Sequence, residues 1–292
     1  MQLSHIFLAI LVTIIWGVNF IFVKIGLDQM SPFMLCTARF ILTSIPLIFF
    51  IKRPAISFRW VAIYGLTMFA LQFSLIFMGI RAGMSPGLAS LILQVQIFFS
   101  MFYAATLWKE IPTSWQIIGA LVSFAGIGLV GMHLGGDITL PGFICILGAA
   151  AAWGMGNIIT KSIGKVNTVS LVVWGSFIAF VPMLLLTLHF DGWDSIAASY
   201  QQLDWRGISA VLFIVYASTW IGYVAWSWLL GRYPVGMVVP FTLLVPIFGL
   251  LSSVIVLHEE FQLWKLYAGI LVIGGLCVNL IGSRYATKKA AL

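Results

Sequence analysis

The sequence predicts an all-α integral membrane protein, with ten transmembrane helices arranged as two inverted five-helix repeats. Three observations carry this expectation. First, 62% of the 292 residues are hydrophobic and 8% charged, with a mean hydropathy of +1.10, whereas soluble domains carry roughly 25% charged residues. Second, apolar runs near 4–23, 33–51, 60–80, 87–107, 115–133, 140–160, 169–189, 208–230, 235–257 and 264–283 each approach the ~20 helical residues that cross a hydrocarbon core of roughly 30 Å. Third, the chain repeats itself. Trp16, Gly17, Ile21 and Lys24 recur as Trp153, Gly154, Ile158 and Lys161 at an offset of 137 residues, and Leu93, Val95, Ile97, Phe98, Leu107 and Glu110 recur as Leu243, Val245, Ile247, Phe248, Leu257 and Glu260 at an offset of 150. Similarity at a long fixed period marks a repeated structural unit.

Taken in order, the first run has the length of a span and carries neither a basic n-region nor an A-x-A site, so it reads as a retained helix rather than a signal peptide. Turn residues separate the runs: Ser31-Pro32, Arg53-Pro54, Ser85-Pro86-Gly87, Ile111-Pro112, Gly135-Gly136-Asp137 and Tyr233-Pro234. These connections are too short for another domain. The longest polar stretch, about 190–206, lies where the offset grows from 137 to 150 and reads as a longer loop in the second copy. The repeats are therefore placed at 1–133 and 134–292.

Orientation follows from the basic residues at alternate connections. One side collects Lys52, Arg53, Arg59, Lys109, Lys161, Lys165, Arg232, Arg284, Lys288 and Lys289; the other collects Lys24, Arg81, Arg206 and Lys265. Ten against four places both termini in the cytoplasm. Five spans per copy is odd, so the second copy enters the membrane in the opposite sense, an arrangement that secondary transporters use to open a central site to each side in turn. The net charge of +7 is dispersed between apolar runs, which disfavours nucleic acid. Cys36, Cys145 and Cys277 lie in separate runs without CxxC spacing, which argues against disulfides and zinc.

Polar side chains in lipid are costly and therefore informative. Asn19 and Asn157 stand within the repeated stretch near Trp16 and Trp153, which offer flat apolar walls; each amide either faces a solute or bonds a neighbouring helix. Gln72, Gln94 and Gln96 occupy the third and fourth runs. Gln94 and Gln96 are about 200° apart on an α-helix, so one of the two is expected to face a cavity. Arg39 stands about six residues into the second run, as a charge partner for an anionic solute group or in a structural role, snorkelling to the outer headgroups or bonding carbonyls. Tyr216, Trp220 and Tyr223 follow i, i+4, i+7 and would share one face, as packing or as a cavity wall. Gly126-Ile127-Gly128-Leu129-Val130-Gly131 and Gly83-Met84-Ser85-Pro86-Gly87 match dinucleotide-binding and nucleophile-elbow patterns, but neither follows a strand.

The WGxN motif at Trp16, the Arg39-Phe40 pair, the segment from Pro246 to Glu260 and the glycine-rich fifth and tenth runs resemble the EamA-type group of the drug/metabolite transporter superfamily over nearly the whole chain. Pro86-Gly87-Leu88-Ala89-Ser90-Leu91, Leu93-Gln94-Val95-Gln96 and Leu243-Leu244-Val245-Pro246 are similar to the bacterial O-acetylserine/cysteine exporters within it. The resemblance implies a cavity lined by the first, third, fourth, sixth, eighth and ninth helices, selecting Asn19, Gln72, Gln94, Asn157 and Tyr223 as solute-binding residues. That family's terminal motif has a Gly-Glu pair; Lys109-Glu110 and Glu259-Glu260 keep only the acid, and Glu110 and Glu260 are read as gating residues or as helix-terminal charge partners. The expected partners are a small-molecule metabolite and membrane lipid, with no cofactor, and the expected place is the inner membrane. An integral-membrane enzyme would need clustered acids or a nucleophile, and all eight acidic residues lie at or beyond run ends. A structural or receptor subunit would carry no solute flux. With no acid in any run, and His5, His133, His189 and His258 near run ends, export is expected down the solute's gradient or by exchange, without obligatory proton coupling.

Overall fold

The computed structural model describes residues 1–135, 138–164, 166–233, 235–259 and 262–290, and among these every regular element is helical. The main helices are α1 (Leu3–Leu27), α2 (Pro32–Ile48), α3 (Phe58–Arg81), α4 (Pro86–Trp108), α5 (Ser114–Met132), α6 (Leu140–Ile163), α7 (Thr168–Phe190), α8 (205–232), α9 (235–257) and α10 (Leu263–Ala290). Eight of them contain a stretch long and apolar enough to cross a membrane; α2 and the Phe241–Leu257 part of α9 are apolar but shorter. The run read as 33–51 thus ends as a helix at Ile48. At ~1.5 Å per residue its 17 residues span ~26 Å. The polar stretch read as a loop contains a helix, Gly192–Gln202, with no buried residue.

Helix starts follow local side-chain chemistry. Ser31, Ser85, Thr139 and Asn167 each accept from the backbone N–H three residues on, and Pro32 and Pro86 occupy first positions where a missing N–H costs nothing. Thr113 and Gln116 form a reciprocal capping box. Both α4 and α9 stop at a left-handed residue, Lys109 (φ 57°) and His258 (φ 53°). The acid following each is Glu110 and Glu259, whose N–H groups return to Ala104 O and Ser253 O. The structural counterpart of Glu110 is therefore Glu259, one position before the Glu260 selected by the sequence offset; Glu260 lies outside the described residues.

Several helices depart from α winding at paired places. A π-helical turn occupies Gly65–Leu71 in α3 and another Phe213–Ile221 in α8; a 3₁₀ turn occupies Leu93–Val95 in α4 and another Val239–Leu243 in α9. Packing is paired as well. The α1 helix lies against α8 and α9, α6 against α3 and α4, α2 against α7, and α5 against α10.

Glycine makes the closest of these approaches. A Cβ on Gly17 would stand 2.7 Å from Phe248 Cβ and 2.8 Å from Val245 O, and one on Gly154 would stand 2.7 Å from Phe99 Cβ and 2.9 Å from Ser100 N. The repeated Trp-Gly pair thus seats α1 on α9 and α6 on α4, backbone against side-chain stem. In the glycine-rich segment of α5 only Gly126 is needed for contact, its Cβ position being 2.9 Å from Ala268 O, while Gly128 has nothing within 4 Å.

Candidate functional site

The helices α1, α3, α4, α6, α8 and α9 surround a cavity of about 780 Å³, to which Arg39 of α2 and Thr168 of α7 also contribute. The five residues selected as solute-binding, Asn19, Gln72, Gln94, Asn157 and Tyr223, all line it, as do the two expected walls, Trp16 and Trp153. So does Arg39, which is buried rather than snorkelling, at 3% exposure. A volume of this size lies in the range of small-molecule sites.

Each polar group is positioned differently. Asn157 Nδ2 donates to Gln96 Oε1 (2.6 Å) and Ser100 Oγ (3.1 Å), so this amide ties α6 to α4 at the cavity edge. Asn19 Oδ1 and Gln72 Oε1 are buried without a hydrogen-bond partner. The two related asparagines have thus diverged, one spent on helix pairing and one left open. Gln94 and Gln96 both line the cavity, where α geometry expected one. The 3₁₀ turn at Leu93–Val95 winds ~120° per residue, which brings side chains two apart to within ~120° of each other instead of ~160°.

The π-helical turn of α8 reorganises its aromatic stripe. Tyr223 faces the cavity, Trp220 packs against the core and Tyr216 is exposed, so the expected common face does not form; the wider winding breaks the i, i+4, i+7 register. Carbonyls in such a turn are left to other donors. Trp16 Nε1 donates to Ser218 O (3.0 Å) and Thr219 Oγ1 to Ile214 O (2.9 Å). The Trp16 ring also stands 5.8 Å from Tyr223 and 5.2 Å from Trp226, centroid to centroid. Thr219, which sequence reasoning passed over, accepts from Arg39 Nη2 (3.1 Å). Its signal was weak: one hydroxyl in an apolar run is ordinarily satisfied by its own helix.

The two ends of the bundle are held by different contacts. At one end Gln29 Nε2 donates to Asp204 Oδ1 (2.6 Å), Ser31 Oγ to Asp191, Arg81 to Leu27 O (2.8 Å) and Ser85 Oγ to Glu259 (2.7 Å). The exposed Asp204 carboxylate is held below the usual range by the Gln29 hydrogen bond and by the Gly207 and Arg206 backbone N–H groups. At the other end Glu110 pairs with Lys161 at 2.8 Å, not with its neighbour Lys109. The elbow-like Ser85 is a helix cap whose hydroxyl donates to Glu259 rather than to a described histidine.

Comparison with known proteins supplies the context. The model of the EamA-like transporter family matches residues 3–132 and 140–281. A protein of Salmonella typhimurium named "Probable amino-acid metabolite efflux pump" is 38% identical over 284 residues, 95% of each chain, and one of the same name from Escherichia coli is 37% identical over 95% of each. A crystal structure at 16% identity superposes with a TM-score of 0.66, covering 98% of each chain, which supports the fold alone. The matched family and these relatives are transporters by name, not enzymes.

Proposed function

Because the chain belongs to the EamA-like transporter family, a multi-pass membrane family, we propose that it is an inner-membrane secondary carrier exporting small amino-acid-related metabolites by alternating access. One observation carries this reading: amides and aromatic rings from both halves of the chain bound the same cavity. In this reading all ten helices cross the membrane, residues 1–133 and 134–292 are two inverted repeats, and both termini are cytoplasmic. The paired π and 3₁₀ turns, the paired left-handed stops and the paired packing support the repeat. The bonds of Gln29, Ser31, Arg81 and Ser85 then close the outer end, and the cavity reaches toward Thr160, Thr168 and Thr242 at the inner end. Glu110 and Glu259 serve as latches at opposite faces. The names of the two bacterial relatives support amino-acid-related solutes.

The decisive experiment is efflux from proteoliposomes loaded with a panel of amino acids. Solute-dependent efflux above protein-free vesicles is expected, and its absence across the panel would overturn the reading. No Asp, Glu or His is among the described residues lining the cavity, so in this reading efflux proceeds without an imposed pH gradient; a strict requirement for one would refute uncoupled export. Impermeant labelling of a cysteine placed in 192–202 tests the topology, and labelling only after lysis would reverse it.

A further inference from the structure

Among the described residues that line the cavity, Arg39 is the one with a permanent charge, and none carries a carboxylate. Its guanidinium lies 3.7 Å from the Phe73 ring centroid, Nη2 donates to the neutral Thr219 hydroxyl, and Nη1 is buried without a hydrogen-bond partner. Thr219 is itself committed to Ile214 O. A guanidinium in a low-dielectric interior needs an anion or a full set of acceptors, and an ionisable residue inside a membrane bundle marks a solute path when its partner is missing. Two further lining residues leave buried acceptors open, Asn19 Oδ1 and Gln72 Oε1. The unmet demand around this cavity is thus one cationic donor and two neutral acceptors. That set is complementary to a zwitterion, whose carboxylate accepts and whose ammonium donates.

We propose that Arg39 binds the solute's carboxylate and that the Asn19 and Gln72 amide oxygens receive its ammonium, so that the carrier selects α-amino-acid zwitterions over amines and carboxamides. This assignment rests on the exporter reading and deepens it. Guanidinium recognises carboxylate through directed, charge-assisted hydrogen bonds, whereas the aromatic walls formed by Trp16, Trp153 and Tyr223 tolerate varied side chains. Selection therefore falls on the backbone-like end of the solute.

The test uses full-length protein in liposomes with L-alanine, L-cysteine and O-acetyl-L-serine as probes, each against its own carboxamide, and with ethylamine and cysteamine as decarboxylated controls. Losing a hydrogen bond to a charged group corresponds to about ten- to a hundredfold, and wild type should favour at least one acid over its carboxamide by that factor. Arg39→Gln should erase the ratio, and Arg39→Lys should restore part of it. A merely structural arginine would lower both fluxes and leave the ratio unchanged. Should Arg39→Gln fail to fold, the wild-type ratio and Arg39→Lys still decide. Equal efflux of acid and carboxamide from wild type would overturn the assignment while the exporter reading stands; efflux of none of the three acids would overturn this inference, and the efflux panel then decides whether the exporter reading falls with it.

Discussion

Replacing Gly119 by alanine places a methyl group 2.5 Å from Gly275 O and 3.0 Å from Asn279 Cβ, where α5 meets α10. The nearest obstacle is backbone, which cannot swing aside as the tip of a flexible side chain would. Overpacking of this kind costs roughly 1–3 kcal/mol. Alanine in a helix interior recovers about 0.5–1 kcal/mol relative to glycine, so the net change is a loss of up to about 2 kcal/mol. Gly128, on the same helix, has nothing within 4 Å of its Cβ position, so Gly128→Ala should show only the gain. The two variants should differ by about 1–3 kcal/mol. Unfolding in lipid–detergent micelles, followed by circular dichroism, measures the order, with Gly128→Ala at or above wild type and Gly119→Ala below both. Equal midpoints, or Gly128→Ala as the weaker variant, would refute the view that glycine in α5 serves close backbone approach at specific positions.

Further outcomes follow from single contacts. Asn157→Ala strips the donor from Gln96 Oε1 and should cost about 1–3 kcal/mol; Asn19→Ala leaves no known partner behind and should cost less, an order the same unfolding assay reads. Lys109→Gly relieves a left-handed residue and should stabilise by up to about 1 kcal/mol, while leaving the Glu110–Lys161 pair in place; a loss of stability would count against it. Asp204 has a depressed folded pKa, so its contribution is present above the unfolded value near ~3.9 and is lost as pH falls through the folded one. Pepsin nicking of 192–202 should therefore begin as pH falls through that value, and Gln29→Met, which removes the leading cause, should move the onset to higher pH. An onset shared by both proteins would refute the tether.

Much of this architecture is legible from hydropathy because lipid leaves the backbone few alternatives to helix. The ten apolar runs all prove helical, with most ends within a few residues of the expected ones; α2 stops short at Ile48, and α10 runs on past 283 to Ala290. The cavity residues were legible for a related reason, since an amide such as Asn19 or Gln72 inside an apolar run requires a purpose. What escaped was local winding. Nothing in the apolar pattern distinguishes a π turn at 65–71 or 213–221, or a 3₁₀ turn at 93–95, from an α turn, and so the orientation of Tyr216, the shared cavity face of Gln94 and Gln96 and the role of Thr219 stay hidden. Gly192–Gln202 escaped because it is polar and buries nothing. At the end of α9 the acid that follows the left-handed stop is Glu259, whereas the sequence offset selects Glu260, which lies outside the described residues.

The π turn at Gly65–Leu71 stores one surplus residue, because its hydrogen bonds close at i→i+5 instead of i→i+4. Deleting a single residue there should be the mildest shortening α3 can undergo, since it restores ordinary winding and leaves both flanks in place. The same deletion at an ordinary turn would rotate the remainder of the helix by ~100°. A surplus is also portable. Carried past Gln72, it would turn that amide by ~100° about the helix axis while both ends of α3 stayed where they are, a rotary step that repoints one cavity group without tilting a helix.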